Sequence, residues 1–136
     1  MATRPMETEA LAEEMLTNAY ELVLSGWCQG SLAVDECGRA IEPASAFARR
    51  WSALGALERA WRRSPEPPVL AQEAFANARL ALTAAVNDIP QAWNDREGRR
   101  QSEVLDALAV AVQLVTRATP RRADLVTHLI EGLDAV

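Results

Sequence analysis

The chain holds only two cysteines and one histidine, too few for the four-ligand, paired-spacing sites that hold structural zinc. Cys28 and Cys37 are separated by eight residues with no histidine nearby, and they are expected as reduced thiols rather than as a disulfide. A Cys–His catalytic pair would need His128, which stands among Leu125, Leu129 and Ile130 and reads as a boundary residue of a helix. No apolar run approaches the ~18–20 residues that span a bilayer. The opening stretch Met1 to Glu9 has no apolar segment behind Arg4, so no secretory signal is expected and the cytoplasm is the expected compartment. Lysine is missing altogether: all fourteen basic side chains are arginine. With the many alanines, that is the signature of a GC-rich coding sequence, although a guanidinium also suits carboxylate and phosphate contacts better than an ammonium does. Internal repeats and low-complexity tracts are lacking too.

What is present points to one helical domain over 1–136, with residues 1–6 expected to be flexible. A hydrophobic content of 49% in 136 residues is enough to bury a core without metal or disulfide support. The net charge of −5 is unevenly spread. Residues 1–37 carry one arginine against seven acids, whereas residues 38–63 carry six arginines against two glutamates. The acidic total disfavours broad electrostatic capture of nucleic acid or of an anionic membrane, and it leaves room for a local basic face.

Apolar periodicity predicts four main helices. The first covers about 7–25, with Leu11, Met15, Leu16, Ala19, Leu22 and Val23 inward and Gly26 as its stop. The second starts after Pro43 and reaches about Arg62, with Phe47, Trp51, Leu54 and Leu57 or Trp61 as its stripe. Gly55 and Ala56 on that helix allow a neighbouring helix to come close. The third covers about 69–86 and the fourth about 101–117, with Val104, Leu105, Leu108, Val112 and Val115 inward. Thr119-Pro120 reads as an N-cap and first-turn proline opening a fifth helix to about Leu133. Between the first two helices, about 31–41 has the rhythm of a short β-hairpin, its turn made by Asp35 to Gly38 with Gly38 at positive φ. The fold class is therefore mostly all-α: a compact bundle of four main helices, with a short hairpin and a C-terminal fifth helix.

Three of the four tryptophans stand in distinctive phrases: Gly26-Trp27-Cys28-Gln29-Gly30, the run from Arg50-Trp51-Ser52 to Gly55-Ala56-Leu57, and Ala92-Trp93-Asn94-Asp95. A large ring in a connection pins it to the core against backbone entropy. The ordered set of Gly26-Trp27-Cys28-Gln29-Gly30, Asp35…Gly38-Arg39, Trp51-Ser52-Ala53-Leu54-Gly55-Ala56-Leu57-Glu58-Arg59-Ala60, Trp93-Asn94-Asp95 and Glu103-Val104-Leu105 resembles a family of small, functionally uncharacterised domains of bacteria and their phages. That family's pattern is G-W-x-Q-G, D-x-x-G-R, W-C/S-x-x-G-A-L-x-R-A and N-D-x-x-x-R-T-x-x-E-V-L, and the match covers roughly 11–117. One departure is Arg100, where the family often has Thr; the capping box with Glu103 then lacks its hydroxyl partner. The resemblance implies a fold and no activity.

Three constellations carry chemistry. Trp27, Gln29, Arg39, Trp93, Asn94 and Asp95 share loop placement and are candidates for one binding groove, since polar groups beside rings mark such sites; Asx turns and ring packing explain the same residues structurally. Arg49, Arg59, Arg62 and Arg63 make a candidate basic face, reading as internal partners of the acidic first helix or as contacts for an acidic protein. Arginines flanking tryptophans also suggest single-stranded nucleic acid, but Trp51 fits the buried stripe. Glu103 and Asp106 form an E-x-x-D pair like those that hold magnesium in all-α nucleotide pyrophosphatases, yet no E-x-x-E pair accompanies them. The chain thus reads as a non-enzymatic cytoplasmic accessory or protein-interaction module with no cofactor, metal or catalytic residues, binding a protein partner or itself through an alanine-rich helix face. Two alternatives stay open: a small metal-dependent enzyme processing a nucleotide or other ligand with helix carboxylates, and a phage-related regulator or inhibitor of a host protein.

Overall fold

Each long helix forms where apolar side chains recur every three to four residues, and the first and third stop at residues that cannot continue them. The computed structural model describes the backbone of residues 5–134 and the side chains of residues 7–117. Helix α1 spans Pro5–Ser25, and so takes in Pro5 and Met6 from the expected flexible lead; residues 1–4 and the surroundings of His128 lie outside the described residues. Leu11, Ala12, Met15, Leu16, Ala19 and Val23 are buried along α1, and the Gly26 N–H closes its last turn on the Leu22 carbonyl at 3.0 Å.

Helix α2 spans Ala53–Arg62, α3 Pro68–Val86, the short α4 Pro90–Asn94, and α5 Gln101–Asp134. Helix α3 starts behind Pro67 and ends at Asn87, whose left-handed φ of 53° an asparagine tolerates. α1 packs against α2, α3 and α5, and α3 also packs on α5. The core between them is mostly aliphatic and small: Leu57, Leu82, Val104 and Leu108 fill it, while Ala56, Ala71, Ala74, Ala78 and Ala111 let the backbones approach. Ala53 and Ala56 of α2 and Ala71, Ala74 and Ala78 of α3 thus lie inside the fold, while Ala76 and Ala84 are exposed. No helix among the described residues is long and apolar enough to cross a membrane.

A two-stranded antiparallel sheet sits at the end of this bundle, with β1 at Ala33–Val34 paired to β2 at Arg50–Trp51. The hairpin expected at 31–41 is present in reduced form: Val34 bridges Ala40, and the Gly38 N–H returns to the Asp35 carbonyl at 3.0 Å, with Gly38 at φ 83°. The Asp35 carboxylate accepts from the Cys37 and Arg39 backbone N–H groups, both at 2.9 Å. Those bonds, first that from Arg39, hold its pKa below the usual carboxylate value.

Three expectations need correction. The second helix does not start after Pro43: residues 43–44 and 46–47 are turns in an otherwise irregular loop, 50–51 are strand, and α2 begins at Ala53. The extended backbone there serves two neighbours at once, since the Trp51 N–H donates to Gly26 O at 3.0 Å and the Arg49 N–H to Val34 O at 2.8 Å. A helix through this segment would leave those partners unmatched. Phe47 consequently leaves the core and is 70% exposed, whereas Trp51 is buried from the strand. Gly55 admits a neighbour, but the neighbour is a loop: a Cβ there would lie 1.8 Å from the Leu32 carbonyl oxygen. Finally, the fourth and fifth helices are one, because α5 runs through Thr119 and Pro120; a proline inside a helix removes one backbone hydrogen bond and crowds the preceding turn, and here the helix continues past it.

Candidate functional site

Trp27 and the Asn94-Asp95 pair meet beside the sheet, with Trp93 preceding Asn94 on α4. Gly26 ends α1 and lets residues 26–28 run alongside β2, with Trp27 bridged to Trp51 and the Cys28 N–H donating to Trp51 O at 3.2 Å. α4 presents Asn94 to this strand-like segment. The Asn94 Oδ1 accepts from the Trp27 indole Nε1–H at 2.9 Å and from the Ala53 N–H at 3.1 Å. Its Nδ2 donates to the Cys28 carbonyl at 3.1 Å and to Asp95 Oδ1 at 2.9 Å. A primary amide has two donors and two acceptor positions, so this side chain, fully buried at 0% exposure, has every position occupied.

Its neighbours are held the same way. Asp95 Oδ1 also accepts from the Gly30 N–H at 2.9 Å, and Gln91 Nε2 donates to both Asp95 oxygens at 3.1 Å. Gln29 Nε2 donates to the carbonyls of Asn94 and Arg96, both at 3.0 Å. Ser52 Oγ donates to Gln91 Oε1 at 2.8 Å and accepts from the Gly55 N–H at 3.0 Å, capping α2. Trp93 lies under the Arg99 guanidinium, 3.9 Å from ring centroid to Cζ, and Arg99 Nε also donates to the Trp93 carbonyl at 3.0 Å. No buried side-chain N or O among the described residues lacks a hydrogen-bond partner. The structure therefore brings Trp27, Gln29, Asn94 and Asp95 into one network with Trp93 beside it, and turns their polar atoms toward each other. Arg39 is not part of it: among the described residues its exposed guanidinium reaches only Asp35 in its own turn, at 4.0 Å. Gln91 and Ser52 belong to the network although nothing in the sequence singled out Gln91, and Ser52 was legible only as part of the tryptophan phrase.

A second arrangement lies on the loop between Glu42 and Arg49. Arg59 Nη1 donates to the carbonyls of Pro43 and Ser45, both at 2.8 Å, while its guanidinium lies 5.0 Å from the Trp51 ring centroid. Arg63 grips the Ala44 carbonyl through Nε at 3.1 Å and Nη2 at 2.8 Å. Arg49 Nη1 donates to Ala46 and Ala48, and the Trp51 indole adds a bond to Pro43 O at 3.0 Å. Burial, then the Arg63 and Arg49 charges, lower the Arg59 pKa. Among the described residues the ion pairs within 4.0 Å involve Arg39, Arg96, Arg99 and Arg100, so the guanidiniums of Arg49, Arg59, Arg62 and Arg63 meet no carboxylate at that range. Arg62 instead covers the Trp61 ring at 4.7 Å, and Trp61 stacks on Phe75 at 4.5 Å. The acidic α1 lies across a groove of about 490 Å³ from Arg59 and Arg63, without bonding to them.

A family model matches residues 7–114 of the chain, under the description of a family of unknown function, DUF6197. The chain belongs to DUF6197. No curated protein and no solved structure matches it. This member of DUF6197 keeps an acidic side chain, Glu103, in the first turn of α5. The Glu103 carboxylate accepts from the Arg100 N–H at 2.8 Å and pairs with Arg99 at 3.3 Å and Arg100 at 3.6 Å. Half of a capping box thus survives the loss of the hydroxyl partner. The Arg100 N–H bond, then the two guanidiniums, hold the Glu103 pKa below the usual range. Asp106 is exposed, and among the described residues no group of three or more His, Cys, Asp or Glu side chains converges as a metal site would require. Cys28 is buried, which pushes its thiol pKa up, whereas Cys37 is exposed; both are free thiols.

Proposed function

We propose that this DUF6197 chain is a non-catalytic protein-interaction module that docks its partner through the arginine-braced loop 43–49. The observation that carries the reading is Phe47, 70% exposed on a loop whose carbonyls at Pro43, Ala44, Ser45, Ala46 and Ala48 are each held by a guanidinium. A single exposed apolar side chain is ordinary on a protein surface. An aromatic ring on a loop already fixed in place is different, because its ordering cost has been met before a partner arrives. Aromatic residues and arginines are also the side chains that dominate interface energetics.

Charge supports the same surface. Residues 38–63 are the basic part of an acidic chain, so an acidic partner would be steered to this side and repelled elsewhere. The polar network around Asn94 does not compete for the role, since its donors and acceptors face inward. Two free thiols, Cys28 and Cys37, go with a reducing, cytoplasmic setting. A regulator that acts by binding a host protein would use this same face.

The test is site-specific photocrosslinking. Replacing Phe47 by p-benzoylphenylalanine in the native host should give a discrete crosslinked protein band, and the same replacement at Val69, similarly exposed on α3, should not. Phe47→Ala should keep the helical circular dichroism and lose copurification of that protein. Absence of any crosslink at position 47 would overturn the reading.

A further inference from the structure

The loop that carries Phe47 adjoins the groove between α1 and α2 through Arg59 and Arg63, which line the groove and hold the loop's carbonyls. Its far end is tied to the end of α1 by the Trp51 N–H to Gly26 O bond, and its near end to the end of α2 by Arg63 on Ala44. Ser25 and Arg63, at those two helix ends, both line the groove. A braced aromatic knob and an open hole are thus neighbours, joined by the same two arginines. The groove has an apolar floor from Leu11, Met15 and Leu22.

Its two walls carry opposite charge: Glu14 and Glu21 on the α1 side, Arg59 and Arg63 on the α2 side, with no ion pair across it. The loop repeats that polarity, with exposed Glu42 before it and exposed Arg49 and Arg50 after Phe47. A segment entering the groove with an apolar ring, an acid at one end and bases at the other would satisfy both walls, and this chain itself carries such a segment.

We propose that the chain pairs with a second copy of itself about a two-fold axis, the Phe47 loop of each copy seated in the α1–α2 groove of the other. The proposal rests on the protein-binding reading above and names its partner. A two-fold contact requires a patch that complements itself, and a knob and a hole side by side with matched charge polarity meet that requirement. Ala53, Ala56, Ala71, Ala74 and Ala78 are buried in the core and offer no contact to a second copy.

The experiment is sedimentation velocity on the full chain from micromolar to sub-millimolar concentration. The wild type should reach the mass of two chains, and Phe47→Ala, with unchanged circular dichroism, should raise the dimer dissociation constant at least about tenfold. Two charge variants sharpen the test: Glu14→Arg with Glu21→Arg in one chain, and Arg50→Glu, which leaves the arginines that brace the loop in place, in another. Each alone places like charges at both contacts and should be monomeric; mixed, they should form a heterodimer, because both contacts regain opposite charges. A wild type that stays at one chain's mass, a Phe47→Ala variant that dimerises as well as wild type, or a mixture that stays monomeric would each overturn the pairing. If the wild type is monomeric while position 47 crosslinks to a different polypeptide, the pairing falls and the protein-binding reading stands. If neither pairing nor crosslink is seen, both fall.

Discussion

Replacing Asn94 by alanine should be among the most damaging single changes available in this protein. The side chain is fully buried and makes four hydrogen bonds, to the Trp27 indole, the Ala53 N–H, the Cys28 carbonyl and Asp95. Asp95 keeps Gly30 and Gln91 as donors when Asn94 is shortened, and the half-buried Trp27 indole can turn to water. The Ala53 N–H and the Cys28 carbonyl belong to buried residues and have no such recourse. Each buried orphan costs about 1–3 kcal/mol, so with the lost indole bond the sum is about 3–5 kcal/mol. Against a total stability of roughly 5–15 kcal/mol, that is a large fraction, and the melting temperature should fall by roughly 10–20 °C. Asn94→Asp separates chemistry from volume: it keeps the size and the acceptor but turns an oxygen toward Cys28 O and Asp95. It should be at least as destabilised as alanine at neutral pH. Urea unfolding followed by helical circular dichroism reads both variants. A loss below about 1 kcal/mol in Asn94→Ala would refute the view that this amide clamps the connections, and would return it to the list of ligand-binding candidates.

Other outcomes follow from the same structure. Gly55→Ala should destabilise by roughly 2 kcal/mol or more despite alanine's better helix propensity, because its Cβ would meet the Leu32 backbone at 1.8 Å; thermal melting checks it. With Ellman's reagent the native protein should show one fast thiol, Cys37, and one slow thiol, Cys28, merging into two fast ones in denaturant. Glu103 has a folded pKa below its unfolded value, so its contribution is complete above the ordinary glutamate value of about 4.3. That contribution is lost as pH falls through the lower folded value. The melting-temperature gap between wild type and Glu103→Gln should therefore be constant near neutrality and close on acidification below that window; a gap that widens in acid would contradict the assignment.

The helix interiors were legible because apolar periodicity survives any tertiary context: Leu11, Met15 and Leu16, or Val104 and Leu108, point inward wherever the neighbours lie. The start of α2 was not. Ala44 to Ser52 is rich in alanine and arginine and reads as helix by propensity, yet pairing with Val34 and Gly26 outweighs that local preference. Phe47 was misplaced for the same reason, and with it the most exposed ring among the described residues. The network was half legible: Trp27, Asn94 and Asp95 stood out as rings and turn formers beside helix ends. The bonds that unite them join residues 39 to 67 positions apart, and such long-range pairings leave no local trace. The arginines were evident in composition, but a guanidinium that braces carbonyls looks in sequence like one that meets α1's carboxylates.

Hydrogen exchange of the four indole N–H groups, followed by NMR on the native protein, tests the clamp most directly. Trp27 and Trp51 donate to Asn94 Oδ1 and Pro43 O, while Trp61 and Trp93 have no indole hydrogen bond among the described residues. Two indole signals should therefore exchange slowly, with Trp27 becoming fast in Asn94→Ala, and two should exchange quickly. Four equally fast indoles in the wild type would contradict the account at its root.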